Sequence, residues 1–305
     1  MKITFIISPL LFLMSITSSP QYDTGTSALT GPYLGQKPPG KKPEIFAPGI
    51  VSKEGVQSKL IVTHDGSEII FQTAILRPGQ GNSPAGRLMY FESITRKNGK
   101  WDSPAILPFS QDFVNDEPAL SGDGKMLFFV SNRPQDGSDE VQKMPDIWLV
   151  TREVDNWSDP QNPGTPVNTD GVEVQPFFSS DNRLYFGRVD GIYFSQYSEG
   201  EFSEPVKLSE EIFQGRVRGI CISPDNKTLI VHSDKPGGYG GWDLYCSFKD
   251  TQGKWMELIN MGDAVNTEHP EANATFSPDG NYLFFSRGDD IYWVSAKIIE
   301  EMRPV

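Results

Sequence analysis

Carboxylates, guanidiniums and amides recur in this chain beside short apolar runs. Asp116 and Glu117, Glu173 and Gln175, Arg216 and Arg218, and Glu271 and Asn273 each precede such a run. Arg133, Arg188, His232 and Arg287 each end the run that follows. Two carboxylates held about 5–10 Å apart, one with a raised pKa, can cleave a glycosidic bond by acid–base chemistry. A guanidinium can stabilise the charge that develops. Glu117, Glu173 and Glu271 are therefore the candidate acid and base, with Arg218 as the candidate stabiliser. The bland reading comes first, however: Glu and Arg also neutralise each other along any wet channel. The residues expected to touch a ligand are Asp116, Glu117, Gln175, Arg188, Arg218, His232, Tyr239, Trp242, Asn273 and Arg287.

Other chemistries find less support. The stretch HSDKPGGYGGWDLYCSF (232–248) holds four glycines, Gly237, Gly238, Gly240 and Gly241. No Gly-Lys-Ser/Thr follows them, so a phosphate cradle is not expected. Their expected task is to reverse the chain, leaving Tyr239 and Trp242 either to stack on a sugar ring or to pack on a neighbouring element. The three histidines, His64, His232 and His269, lie on segments that should not converge, so neither a metal site nor a cofactor is expected. The run GSDE (137–140) is the best candidate for calcium, although a solvated loop explains it better. No G-x-S-x-G occurs, and no serine is placed for a Ser-His-Asp set.

The elements that position these residues follow from a repeat. Five segments share an apolar strand, a polar turn and a second apolar strand, with turn aspartates at Asp65, Asp123, Asp181, Asp225 and Asp279, spaced 58, 58, 44 and 54 residues apart. Asp-Gly or Asp-Asn between apolar runs signals a hairpin, since both dipeptides tolerate positive φ. A third strand follows each hairpin, at 87–93, 146–152, 191–197, 243–249 and 290–297. A fourth opens on an aromatic residue in WDSPAIL (101–107), WSDPQNP (157–163), FSEPVKL (202–208) and WMELINM (255–261). Four strands per 40–50 residues is the arithmetic of a β-propeller blade.

The fifth unit lacks its fourth strand, and PEIFAPGIVS (43–52) has the missing pattern. The expected fold is thus all-β: a five-bladed β-propeller of four-stranded blades over 43–305, its last blade closed by an N-terminal strand. Residues 20–42 read as a linker or as chain draped on the ring. Residues 1–19 (MKITFIISPLLFLMSITSS) read as a secretory signal peptide, with an uncleaved anchor as the alternative. No later segment is apolar enough to cross a membrane, so no transmembrane domain is expected after cleavage.

Composition bounds the partners. The 305-residue chain carries 27 Lys and Arg against 40 Asp and Glu, a formal charge of −13, which disfavours nucleic acid and anionic lipid surfaces. Two cysteines, Cys221 and Cys246, are too few to build a disulfide fold, and buried free thiols are expected.

The motifs SPDNKTLIVHSDKPGGYGGWDLYCS and SPDGNYLFFSRGDDIYWVS, with WSDPQNP, TPVNTDGVE and MGDAVNTEHPE, resemble the WD-like propeller repeat of TolB-type proteins. The resemblance covers nearly the whole chain after the leader. It implies an exported bacterial propeller, periplasmic or secreted, and no single activity, since similar propellers dock proteins, flank peptidases or act on polysaccharides. The sequence departs from the TolB arrangement in showing no helical and strand domain ahead of the ring. The functional expectation is a binding module that takes a protein partner or a saccharide at the channel mouth. The alternative is a polysaccharide-acting glycoside hydrolase or lyase using channel carboxylates. A monomer suffices for either, and nothing in the sequence fixes the oligomeric state.

Overall fold

The computed structural model describes residues 29–76, 86–135, 142, 144–154, 156–208 and 217–304. The expected leader, the calcium candidate 137–140 and Arg216 lie outside the described residues. The strands form five separate antiparallel sheets, one per repeat, and so five blades. The inner strands are Val56–Val62, Asn115–Leu120, Val174–Phe178, Val217–Ile222 and Glu271–Phe276. The second strands are Glu68–Leu76, Met126–Ser131, Arg183–Arg188, Thr228–Ser233 and Tyr282–Arg287. The third are Arg87–Lys97, Asp146–Thr151, Gly191–Ser198, Asp243–Phe248 and Asp290–Ser295.

The hairpin joining first and second strands explains the repeat signature. Its aspartate accepts a hydrogen bond from the Ser or Thr two residues earlier, as Asp65 does from Thr63 and Asp279 from Ser277. The next residue must then be left-handed: Gly66, Gly124, Asn182, Asn226 and Gly280 have φ of 65°, 70°, 59°, 60° and 72°. Glycine and asparagine adopt that conformation at least cost. Hydrogen bonds from Thr63 and Ser67 hold the Asp65 carboxyl below the usual carboxylate range.

The fourth strands are shorter than the sequence suggests. Blade 1 has only Lys100–Trp101 and Ala105–Ile106, and blade 3 only Glu201–Phe202 and Val206–Lys207. In blade 2 the edge is reduced to two bridges, Arg152 with Trp157 and Leu149 with Gln161. Pro104, Pro160 and Pro205 interrupt these segments, because proline has no N–H for the ladder and is tolerated only on an edge.

The ring closes as expected. Glu44 pairs with Trp293 and Ile45 with Tyr292, so Glu44–Ile45 is the fourth strand of blade 5. Phe46 then packs edge-on against Phe284 and Trp293, with ring centroids 5.1 Å from each. Residues 29–42 lie on the ring: Trp101 Nε1 donates to Gly31 O at 2.7 Å, and the Tyr33 ring sits 5.6 Å from that of Trp293.

Five apolar clusters fill the five wedges between blades. The wedge between blades 5 and 1, for example, joins Leu60, Phe71, Phe284 and Trp293, all essentially without exposure. Burying one such side chain stabilises by about 1.5–3 kcal/mol. The C-terminal helix Lys297–Glu300 adds Ile298 and Ile299 to the wedge between blades 4 and 5. Cys221 and Cys246 are free thiols in that wedge; both flank Ile230 in register, two strands apart. Among the described residues, no helix is long and apolar enough to cross a membrane.

Candidate functional site

Every inner strand slips register once against its second strand: after Gln57, Asp116, Val174, Arg218 and Ala272. Such bulges re-aim side chains. The residue that follows the slip in each blade is Ser58, Glu117, Gln175, Gly219 and Asn273. Four of them are left-handed, with φ of 55° at Glu117, 57° at Gln175, 55° at Gly219 and 55° at Asn273.

These residues sew the blades together. Glu117 N donates to Gln72 Oε1 at 3.2 Å, Gln175 N to Glu117 Oε2 at 2.5 Å, and Gly219 N to Gln175 Oε1 at 2.5 Å. A side chain of each blade thus takes the bulge N–H of the next, from blade 1 to blade 4. The belt stops at Gly219, which has no side chain. A Cβ there would lie 2.5 Å from His232 Cε1, so the imidazole occupies that room. Lys59 runs across the channel instead: its ammonium donates to Pro176 O of blade 3 at 3.2 Å and is buried. The channel is therefore bolted below its mouth.

The cluster around this bolt is electrostatically unusual. Burial, then the neighbouring Asp116 charge, pushes the Glu117 carboxyl up to about 8. Burial also raises Asp116 and lowers Lys59. Three groups this close share their protons and titrate as a unit. Burial, followed by the charges of Lys59 and Arg218, pushes His232 down to about 3, so its ring is neutral at ordinary pH. Gln72 Nε2 is buried with no hydrogen-bond partner among the described residues.

Glu173 and Glu271 stand elsewhere. Each is fully buried and clamped: Glu173 accepts from Thr169 N, Thr169 Oγ1 and Arg188 Nε at 3.2, 2.7 and 3.1 Å. Glu271 accepts from Thr267 N, Thr267 Oγ1 and Arg287 Nε at 3.0, 2.6 and 2.8 Å. The arginines go on to backbone carbonyls, Arg188 to Val167 O and Arg287 to Val265 O. Asn168 and Asn266 between them bracket the third strand of the preceding blade, at Ile147 and Leu244. The V-N-T-x-x-x-E signature is thus an internal stitch. Its carboxylates and guanidiniums satisfy one another, which leaves Glu173, Arg188, Glu271 and Arg287 with structural partners rather than free faces in the channel.

The glycine loop does hold an anion, and the anion is its own. Asp243 accepts from Tyr239 N at 2.7 Å, Gly240 N at 3.0 Å and Asn260 Nδ2 at 2.9 Å. Side chains at Gly238 or Gly240 would collide, the first at 2.2 Å from Asp243 Oδ2 and the second at 2.6 Å from Thr267 O. Trp242 lies edge-on to His232 at 5.2 Å between centroids, and the Arg218 guanidinium lies 5.6 Å from the Trp242 ring. So Trp242 packs on its own blade. Tyr239 is half exposed and Arg218 is exposed. The structure therefore brings Asp116, Glu117, Gln175 and His232 together around Lys59, with Arg218 and Trp242 beside them. Lys59 lies inside an inner strand, and nothing in its sequence surroundings marks it as a residue that crosses the channel. His64 sits in a turn on the opposite face, and no cluster of three His, Cys, Asp or Glu that could hold a metal occurs among the described residues.

Fold and site together define a five-bladed β-propeller with a polar, bolted channel mouth. No family model and no curated protein matches the chain. Solved structures share its architecture distantly. A TolB-like protein from Agrobacterium tumefaciens is similar at 15% identity and a TM-score of 0.48, over 77% of this chain and 71% of that one. The tricorn protease is similar at 19% identity and 0.48, over 81% of this chain but 22% of that one. The oligogalacturonate lyase of Vibrio parahaemolyticus is similar at 12% identity and 0.42, over 77% and 64%. At these values the likenesses carry no argument about activity, ligand or compartment.

Proposed function

We propose that the chain is an exported binding module that receives a protein partner or a saccharide at the mouth of its channel. One observation supports this most. Arg218, Tyr239 and Trp242 stand exposed or half-exposed on one blade, whereas Arg188 and Arg287 are held by the buried carboxylates of Glu173 and Glu271. Convergent polar groups beside aromatic faces in a concave mouth are what ligand sites are made of. The apolar leader at 1–19 supports export. The test is an NMR titration of the ¹⁵N-labelled protein against a panel of oligosaccharides and peptides. Shifts gathered on Arg218, Tyr239 and Trp242 are expected; shifts confined to the outer strands would refute the mouth as the site.

A second reading, a polysaccharide-acting hydrolase or lyase, draws on the adjacent Asp116 and Glu117, both raised, beside Lys59. Perturbed carboxyls in a cleft are the usual mark of acid–base catalysis. Turnover of any oligosaccharide that Glu117→Gln abolishes, with the fold intact, would replace the binding module by this enzyme.

A further inference from the structure

The belt shows what its own N–H groups take. Glu117 places a carboxyl oxygen on the bulge N–H of the next blade, and Gln175 places an amide oxygen on the one after. At the next step the acceptor is missing, because blade 4 has Gly219 at that place. Asn273, which holds the same place in blade 5, has no side-chain acceptor on its N–H, and its own amide makes no hydrogen bond among the described residues. Arg218, immediately before Gly219, is exposed and makes no ion pair among the described residues. In a chain of net charge −13, an exposed guanidinium with no carboxylate partner among the described residues, on a strand that touches the one carrying an amide side chain with no partner there either, is a local anion site.

We propose that the mouth's ligand carries a carboxylate that enters the step between blades 4 and 5, meeting Arg218 and the Asn273 donors. It thereby supplies the oxygen that Glu117 and Gln175 supply elsewhere in the belt. The carboxylate belongs to an acidic sugar unit, a uronate. Lys59 crosses from blade 1 to Pro176 O of blade 3, so the ligand meets the mouth by its end rather than passing through the channel. Trp242 places an aromatic ring 5.6 Å from the guanidinium, which suits a sugar ring bearing a carboxylate. His232 forms the floor beside Gly219. This inference rests on the mouth being the binding site.

The test titrates the labelled protein with a tetrasaccharide of glucuronate units, with its methyl ester and with a glutamate-rich peptide. The acid is expected to move the Asn273 amide and the Trp242 indole resonances. The ester, and the acid on an Arg218→Gln variant, are expected to bind about tenfold weaker or worse, as loss of a charge-assisted contact implies. Lys125→Gln, on the opposite face, is expected to leave affinity unchanged. Equal binding of acid and ester would overturn the carboxylate while continued Trp242 shifts left the mouth reading standing. Binding of the acid without movement of Asn273 would overturn the placement. Preference for the peptide would overturn the sugar. Silence of every mouth resonance toward all three would overturn the inference, and the mouth reading would then stand or fall on the wider panel.

Discussion

Blades 3 and 5 bury a glutamate at the head of the inner strand and clamp it with an arginine, whereas blade 4 has Val217 at that place and Ser233 opposite. In blades 3 and 5 the guanidinium is consumed inside the protein by a carboxylate, a carbonyl and an aromatic ring below it. In blade 4 the arginine stands instead on the inner strand, at Arg218, one residue beyond the place of the glutamate, and is exposed. The same residue type is thus structural in two blades and available in a third. What decides is whether a buried carboxylate stands across from it. A ring of like repeats acquires a one-sided site by leaving out one internal pair.

The sharpest way to break this comparison is to remove a clamp. Glu271→Ala leaves the Arg287 side chain only 14% exposed with no carboxylate, and urea unfolding should show a loss of about 3–5 kcal/mol. Glu173→Ala should behave alike. A loss under about 1 kcal/mol would make these clamps the wet, solvent-screened pairs of an open channel. Next in size is Gly240→Ala, whose Cβ would press on three backbone carbonyls, the nearest at 2.6 Å; a loss of about 1–3 kcal/mol is expected, against none beyond about 0.5 kcal/mol for Gly241→Ala, which has open space.

Smaller effects should follow pH, because Glu117 shares its proton with Asp116 and Lys59. A carboxyl raised from 4.5 to about 8 stays protonated in the fold while the unfolded chain ionises. Its stability contribution is full below 4.5 and fades as pH rises through 8, and Glu117→Gln should flatten that limb of a Tm profile. His232 works in the opposite direction: held neutral, with its value depressed from 6.5 to about 3, it costs stability as pH falls from 6.5 toward 3. The smallest effect is expected at Arg218→Ala. An exposed, unpaired side chain should change unfolding free energy by no more than about 0.5 kcal/mol, whatever it does to binding.

The blade count and the ring closure were legible because their signals are local. The turn aspartate and its left-handed follower are dictated by neighbours within two residues, and PEIFAPGIVS carries the same aromatic–proline pattern as the other edges. The site was only half legible. Sequence reading collected the residues near the mouth, but it could not separate Glu271, clamped by Arg287, from Glu117, aimed at the next blade. That separation depends on a register slip and on positive φ at Glu117 and Gln175, which are not residues that advertise it. The reach of Lys59 to Pro176 O was likewise hidden, since the contact joins blades 117 residues apart. Trp242 could be placed on a mouth loop, yet its packing on His232 depends on Gly219 leaving room for that imidazole.

The pairing of Glu44 with Trp293 sets an order of events as well as a shape. Synthesis delivers the closing strand among the first residues to emerge and its partner among the last. Every blade can hydrogen-bond internally as it leaves the ribosome, but the first and last wedges must wait for translation to finish. The added entropy of so long a loop is modest, because closure cost grows only with the logarithm of length. The exposure lies in the interval, when an unpaired sheet edge is open to other nascent chains. A message cut short before the codon for Asp290 would leave Glu44–Ile45 with no partner at all and four blades with no means of meeting.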